Sequence, residues 1–228
     1  MNIWNPSIGA DEVDRFSLSQ HWYVGGNGPN TQTAEVGWQV YPLMYHSSEP
    51  VFFIYWTADN YGSTGGYNLT RPGFVQTNNS WTLGGTLVPV SVTNGPQYEI
   101  EVAFYLNQGN WWLYVGDTDA SHAIGYYPTS IYNNGAMASK ASSIDYGGEV
   151  VSSTTSWPPM GSGTFASEGW LKAAYQRDIF YFPTAGGTSY ANDLAVKLTS
   201  PCYTANVINS NPPWNETLWF GGPGGTNC

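Results

Sequence analysis

Two glutamates stand in the middle of segments that otherwise favour the interior of a protein. Glu35 lies in "TAEVGWQVYP" (residues 33–42) and Glu149 lies in "SSIDYGGEVV" (residues 142–151). An ionised carboxylate is costly to bury without a partner. We expect folding to bring the two carboxyl groups into contact, where they share a proton. Two like charges so close cannot both ionise easily, so one group keeps its proton where the other has lost it. Such a pair would supply a general acid and a general base.

Paired carboxylates of this kind serve two classes of hydrolase. In peptide hydrolysis one carboxylate activates water against an amide, and in glycoside hydrolysis the pair flanks an acetal. Spacing in the sequence does not choose between them. A third alternative is a non-catalytic module that binds peptide or carbohydrate, because a glutamate on a sheet face is more often a solvated surface residue.

Other kinds of site find little support in the sequence. The histidines His21, His46 and His122 lack metal-ligand spacing, and "MGSG" (residues 160–163) does not fit the nucleophile elbow of a serine hydrolase. A net charge of -10, from 16 acidic and 6 basic side chains, disfavours binding to nucleic acid or to an anionic membrane. The sequence therefore predicts no metal site and no binding to nucleic acid or a membrane. The scarcity of Lys and Arg also predicts tolerance of acid.

Alternation of apolar and polar residues with a period of two recurs along the chain. Only 10% of the residues are charged and 16% are aromatic, with 27 Gly and 15 Pro, a composition that favours strands and tight turns. The prediction is an all-β, antiparallel sandwich or barrel that forms one domain over residues 1–228. The segment "FASEGWLKAAYQRDI" (residues 165–179) is interpreted as a strand despite its possible helical pattern.

The same alternation assigns the two glutamates to sheet faces. In the first segment, Ala34, Val36, Trp38 and Val40 are predicted to face the core. The opposite face carries Glu35 together with Thr33, Gly37, Gln39 and Tyr41. In the second segment, Ile144, Tyr146 and Val150 form the apolar set, and Glu149 shares the other face with Asp145 and Gly147. Each glutamate thus stands beside a glycine that leaves room for a ligand.

Cys202 and Cys228 lie near the C-terminus. A disulfide between them would tie the tail to the body and stabilise the fold by roughly 3 kcal/mol. Because such bonds persist in oxidising compartments, we predict a secreted, extracytoplasmic protein.

The segments taken together resemble the catalytic domain of the neprosin family of glutamic peptidases. The matching segments run in order over nearly the whole chain: "FSLSQHWYVGG", "AEVGWQVYP", "YWTADNYGSTGGYNL", "PGFVQTN", "WWLYVG", "IGYYP", "YGGEVV", "MGSG" followed by Phe165, "KAAYQRDI" and "GGPGGTNC". The resemblance implies a sandwich of two antiparallel sheets of about seven strands each. It implies an acid-active endopeptidase that cuts after proline without a metal or organic cofactor. The family's two catalytic glutamates fall on Glu35 and Glu149.

Aromatic rings close to the glutamates in sequence, or in the matching segments, offer flat apolar surfaces for a pyrrolidine ring. The predicted substrate contacts are Trp38, Tyr41, Trp56, Tyr127 and Tyr146, with Gln39 as a hydrogen-bonding neighbour of the glutamates. The expected partners are proline-rich peptides and proteins, and the expected state is a monomer.

The sequence also departs from the plant members of the family. Gly66 and Arg71 replace a cysteine pair of those members, whereas Cys202 and Cys228 match their C-terminal pair. Pro159 stands where the plant enzymes have a glutamine before "MGSG". Any function of that glutamine is therefore not expected here.

Overall fold

The computed structural model describes residues 1–9, 13–226 and 228, and antiparallel strands form most of its regular structure. The strands are β1 (Arg15–Gly25), β2 (Gln32–Val40), β3 (Val51–Thr57), β4 (Gly66–Tyr67), β5 (Val75–Gln76), β6 (Val102–Asn107), β7 (Asn110–Val115), β8 (Ala123–Pro128), β9 (Ser143–Ser152), β10 (Ser156–Trp157), β11 (Ala174–Gln176), β12 (Phe180–Tyr181), β13 (Ser189–Tyr190), β14 (Thr204–Asn209), β15 (Glu216–Gly221) and β16 (Gly225–Thr226). The helical segments are short: α1 (Pro42–Tyr45) and 3-10 turns at Gly28–Asn30, Ala120–His122, Thr129–Tyr132, Ala136–Ala138 and Ala166–Glu168.

These strands form five sheets rather than two. A five-stranded sheet has the order β4-β3-β2-β1-β9, a four-stranded sheet has the order β5-β8-β7-β6, and a three-stranded sheet has the order β11-β15-β14. The pairs β10-β16 and β12-β13 complete the set. The all-β, antiparallel prediction is confirmed, but two sheets of about seven strands each are not found. The layer opposite the five-stranded sheet is divided, because no hydrogen-bonded strand joins its four-stranded and three-stranded parts in the described residues.

The core lies between the five-stranded sheet and this divided layer. Ala34, Val36, Trp38 and Val40 are fully buried there, as the alternation on β2 predicts. They pack in one cluster with apolar side chains of the opposite layer, including Phe104, Leu113, Ile124, Leu218 and Phe220. The other face of β2 is covered as well, so all nine residues of this central strand are buried.

The segment 165–179 is not the continuous strand that the sequence predicts. It begins with the 3-10 turn Ala166–Glu168, and only Ala174–Gln176 pairs as a strand. The physical reason is a turn between them, where Gly169 and Leu171 adopt positive φ angles of 64° and 69°, incompatible with an extended ladder. The turn delivers buried Gln176, whose Nε2 donates to Ser19 Oγ at 2.9 Å and so ties the three-stranded sheet to β1.

The predicted disulfide between Cys202 and Cys228 is present, with a Cα–Cα distance of 5.6 Å. It fastens the C-terminus beside the start of β14. Among the described residues, no helix has both the length and the apolar composition needed to cross a membrane.

Candidate active site

The strand register places both glutamates on one face of the five-stranded sheet. Glu35 on β2 pairs with Trp22 of β1, and Glu149 on β9 pairs with Leu18 of β1. Directly paired residues point to the same side of a sheet, and Trp22 and Leu18 are an even number of positions apart. Two side chains that are more than a hundred positions apart in sequence therefore face the same side, with only β1 between their strands.

The two carboxyl groups do not touch in the way the sequence suggested. Neighbouring strands lie about 4.8 Å apart, and a whole strand separates β2 from β9. Within the described part of the chain, no hydrogen bond joins Glu35 to Glu149. The register instead puts Gln20 midway, because Gln20 pairs with Gly37 on one side and with Gly147 on the other.

Glu35 is buried and is surrounded by hydrogen-bond donors. Its Oε1 accepts from Thr33 Oγ1 at 2.6 Å and from the Tyr61 hydroxyl at 2.8 Å, and its Oε2 accepts from Gln20 Nε2 at 3.1 Å. Burial raises the pKa of Glu35, and the three donors act in the opposite direction because they stabilise the carboxylate. The site thus holds a desolvated carboxyl group whose ionised form has specific partners.

Tyr61 reaches Glu35 from the loop between β3 and β4, which Asp59 organises. The Asp59 carboxylate accepts from Thr64 Oγ1 at 2.6 Å and from the Ser63 backbone N–H and hydroxyl at 2.8 Å each. These bonds lower the pKa of Asp59. Tyr61 has a φ of +61°, which is costly for a bulky residue unless its surroundings enforce it. The Asp59 network therefore holds the tyrosine hydroxyl against Glu35.

Glu149 has a different environment. It is partly buried, and no side-chain hydrogen bond to its carboxyl group is found among the described residues. Burial, followed by the charge of Glu35, raises the pKa of Glu149 from 4.5 to about 7. Glu149 therefore keeps its proton through the acid range, whereas Glu35 has donors that favour its charged form.

A cavity of about 730 Å³ lies in front of the glutamates. It is bordered by Glu149 and by two of the hydrogen-bond donors to Glu35, Thr33 and Tyr61. Its other aromatic walls are Trp22, Trp157 and Tyr203. A larger cavity, of about 1170 Å³, also borders β9, but neither glutamate lines it. Of these two cavities, the smaller is the candidate substrate site, because it combines Glu149 with the surroundings of Glu35.

Three of the predicted substrate contacts lie in the core instead. Trp38, Trp56 and Tyr127 are buried in the main apolar cluster, at 0%, 7% and 0% exposure. Trp38 donates to Asn2 O at 2.9 Å, and Trp56 sits opposite Ala34 on the core side of the sheet. None of them lines the cavity beside Glu149. The physical reason is alternation, since a residue close in sequence to a site residue can point to the opposite face.

The other predicted contacts form hydrogen bonds with groups other than the two glutamates. Tyr146 lines the larger cavity, and its hydroxyl donates to Phe180 O at 3.3 Å. Tyr41 donates its hydroxyl to Asp14 at 2.6 Å. Gln39 does share the face of Glu35, but its Nε2 donates to the Tyr67 hydroxyl at 3.4 Å. The structure thus brings together Glu35 and Glu149 of the predicted set and surrounds them with other residues.

Sequence reasoning missed Gln20, Thr33 and Tyr61 as partners of Glu35, and Trp22 as a wall of the cavity. The contact of Thr33 with Glu35 could have been predicted, because Thr33 stands two positions before Glu35 on the same strand and must share its face. Gln20 and Trp22 depend on the pairing of β1 with β2, and Tyr61 depends on a loop conformation.

No metal site accompanies these groups in residues 1–9, 13–226 and 228: no three or more His, Cys, Asp and Glu side chains cluster closely enough to hold an ion. His21 packs edge-on against Tyr146, with ring centroids 4.7 Å apart. His122 lies on the surface beside Asp119, with Nδ1 and Oδ1 3.0 Å apart.

We predict that Glu149→Gln stabilises the fold at alkaline pH and leaves its stability in acid almost unchanged. Because the folded pKa of Glu149 is about 7 and the unfolded value is 4.5, its contribution to stability is fully present below about pH 4.5 and is lost as the pH rises through 7. Glutamine cannot ionise, so the variant should gain roughly 1–3 kcal/mol near pH 8.

Chemical denaturation of both proteins at about pH 4 and pH 8 measures this difference. Comparing variant with wild type cancels the opposing effect of His21, whose pKa burial lowers to about 3. A gain of equal size at both pH values would show that Glu149 ionises normally.

Comparison with known protein families gives a match to the family model described as Neprosin. It covers residues 13–223, a range that includes both glutamates and every strand from β1 to β15. The match agrees with the resemblance predicted from the ordered sequence segments.

Proposed function

Because the chain belongs to the neprosin family, a peptidase-related family, we propose that it is a glutamic endopeptidase, active in acid, that cleaves on the C-terminal side of proline. The observation that carries the proposal is the pair of glutamates on one sheet face, one with three hydrogen-bond donors and the other with a pKa of about 7. Groups in such different settings suit the separate roles of base and acid.

Glu35 is the general base in this mechanism. Thr33, Tyr61 and Gln20 donate to its carboxylate and favour the ionised form, against burial, which raises its pKa. The carboxylate takes a proton from a water molecule as that water attacks the carbonyl carbon of the scissile bond. The Tyr61 hydroxyl stays beside the developing acid and holds it in place.

Glu149 is the general acid. Because it remains protonated up to about pH 7, it can donate its proton to the developing oxyanion or to the leaving nitrogen. The base gains one proton and the acid loses one, so the cycle closes when the proton returns from Glu35 to Glu149 after the products leave. The same proton balance predicts loss of activity once Glu149 ionises.

The 730 Å³ cavity supports a preference for proline. Trp22, Trp157 and Tyr203 line it, and aromatic faces pack well against a pyrrolidine ring. Trp22 also pairs directly with Glu35 across the β1–β2 ladder, which would place such a ring next to the proposed base. These three residues replace Trp38, Trp56 and Tyr127 as the proposed aromatic contacts.

The wider setting of the proposal follows from composition and from the disulfide. We place the enzyme outside the cytoplasm, because the Cys202–Cys228 bond requires an oxidising compartment to persist. Its partners would be proline-rich peptides and proteins, not nucleic acids or membranes, given the net charge of -10. Residues 1–228 would act as a single, monomeric catalytic domain that needs no metal or cofactor.

A digest tests the function directly. The wild-type protein is incubated with an unstructured, proline-containing protein at about pH 4, and the new termini are identified by mass spectrometry. We expect cuts that follow proline. Cuts without that preference would refute the specificity. Release of reducing ends from a polysaccharide, without peptide cleavage, would favour a glycoside hydrolase, and tight peptide binding without turnover would favour a binding module.

A further inference from the structure

We propose that Gln20 is a positioning residue whose carboxamide bridges Glu35 and Glu149 and couples their protonation. Its Nε2 donates to the Glu35 carboxylate, and its Oε1 accepts the proton-bearing hydroxyl of Glu149. The catalytic consequence rests on the proposed function, whereas the bridge itself is a statement about hydrogen bonds and can be tested without a substrate.

The register puts Gln20 at the centre of the site. Gln20 pairs with Gly37 of β2 and with Gly147 of β9. Glu35 lies two positions from Gly37, and Glu149 lies two positions from Gly147, in opposite directions along β1. Each glutamate is therefore a diagonal neighbour of Gln20 on the same face, at about 7–8 Å between Cα atoms, which long side chains can span.

The Gln20 carboxamide is only half satisfied. The residue is 1% exposed, and its Nε2 donates to Glu35 Oε2 at 3.1 Å. Its Oε1 is buried and has no hydrogen-bond partner among the described residues, and an unpaired buried acceptor destabilises a fold. The two ends of a carboxamide diverge from one carbon, so Oε1 turns away from the oxygen that Nε2 contacts. Gln39 is also a diagonal neighbour, but its Nε2 donates to Tyr67. Asp145 is exposed and pairs with Trp22, so it lies toward the same end of β1 as Glu35. The diagonal neighbour on the side to which Oε1 turns is Glu149, whose protonated form has a hydroxyl to donate.

Close packing fixes Gln20 in this position. A Cβ atom added to Gly37 would lie 2.6 Å from the Gln20 Cβ and 2.0 Å from Ser19 O, so β2 approaches β1 in a way that only glycine permits. On the other side, the buried Gln176 donates to both Gln20 O and Gly147 O at 3.2 Å. These contacts hold the backbone of Gln20 from β2 on one side and from β11 on the other.

The bridge has a predictable effect on the two titrations. A donor to the carboxylate lowers the pKa of Glu35, and Gln20 is one of the three donors that do so. An acceptor for the protonated form would raise the pKa of Glu149. Gln20 therefore widens the pH interval in which Glu35 is ionised and Glu149 is protonated. Apart from Glu149, the titratable groups that the charge of Glu35 influences are tyrosines, which do not ionise in acid: Tyr55, Tyr61, Tyr67, Tyr127 and Tyr132. Asp145 and Lys197 border the same cavity as Glu149; burial raises the pKa of Asp145, and Lys197 acts to lower it.

The test replaces Gln20 by methionine, an unbranched side chain that fills space without a polar head. We expect kcat to fall by about 10- to 100-fold with little change in KM, because the carboxyl groups lose their alignment. The bell-shaped dependence of kcat on pH should also narrow, because its acid limb moves to higher pH and its alkaline limb moves to lower pH. Gln32→Met is the matched control: Gln32 is also buried, but it bonds Tyr132 O and the Met137 N–H. Its loss should lower stability without narrowing the profile.

The decisive measurement is a pH titration followed by the carbon-13 NMR shifts of the glutamate carboxyl groups. It gives the pKa of each group and needs no catalysis. In Gln20→Met we expect the pKa of Glu35 to rise and that of Glu149 to fall. If both values stay as in the wild type, or both move in the same direction, the bridge is refuted even if the enzyme cleaves peptides. If the wild type cleaves nothing and the two values still converge, the bridge stands and the proposed function fails. If the methionine variant does not fold, Gln20→Asn replaces it. Its side chain is one methylene too short to reach both Glu35 and Glu149, so the same changes in the two pKa values are expected.

Discussion

Replacing Glu35 by glutamine is expected to lower kcat for a proline-containing peptide by about 10²- to 10⁴-fold at acid pH. Glutamine keeps the shape of the side chain, and its amide oxygen can still accept from Thr33 and Tyr61. It cannot take a proton from the attacking water. The loss should therefore appear in kcat rather than in KM, and steady-state assays on one peptide measure it.

The matched control is Glu168→Gln. Glu168 is an exposed carboxylate that pairs with Lys172 at 3.0 Å, so its replacement should leave cleavage unchanged. Circular dichroism and thermal unfolding establish that each variant is folded. Activity close to that of the wild type in folded Glu35→Gln protein would remove Glu35 from the mechanism.

Replacing Glu149 by glutamine is expected to cause a loss of similar size on peptides but a much smaller loss on activated esters. A peptide nitrogen needs a proton before it can leave, whereas a nitrophenolate leaves without one. The comparison uses matched substrates with the same acyl group, one with an amide bond and one with a nitrophenyl ester. Glu35→Gln should remain slow on both, because attack by water precedes departure of either group.

This pattern assigns the two roles. If the ester restores the activity of Glu35→Gln rather than that of Glu149→Gln, then Glu149 is the base and Glu35 is the acid. Equal losses on both substrates in both variants would mean that Glu149 stabilises the oxyanion rather than protonating the leaving nitrogen.

Several features of the site could be predicted because they depend on the local period of the chain. Alternation along residues 33–42 separates the core face of Trp38 from the face of Glu35. The structure confirms this separation, because Trp38 lies in the main apolar cluster whereas Glu35 bonds polar side chains. The disulfide follows from two cysteines near one end of the chain. The all-β class follows from the same alternation. These properties need no knowledge of which strands become neighbours.

The features that sequence reasoning missed depend on neighbours. Gln20 and Trp22 enter the site only because β1 lies between β2 and β9, and nothing local to residues 15–25 fixes that order. Tyr61 depends on two consecutive residues in the left-handed region, Asn60 and Tyr61, held by Asp59. Trp56 and Tyr127 were placed near the substrate because their segments match the family, but a matching segment does not reveal which face of the sheet a ring occupies.

The separation of the carboxyl groups is the most informative difference. The sequence suggested direct contact, and the register inserts a whole strand with a glutamine on it. Two groups at that distance can still act on one substrate from opposite sides, which is what separate base and acid roles require. Direct sharing of one proton between carboxyl oxygens is not required for the pKa of Glu149 to rise, because burial and the charge of Glu35 suffice.

The most direct test of joint action is the kcat of the double variant Glu35→Gln/Glu149→Gln beside both single variants, on one proline peptide at acid pH. Residues that act as a unit show non-additive losses. We predict that the double variant is no slower than Glu35→Gln alone. If the two single losses multiply in the double variant, or if it retains the activity of the wild type, the two glutamates do not work as one catalytic pair.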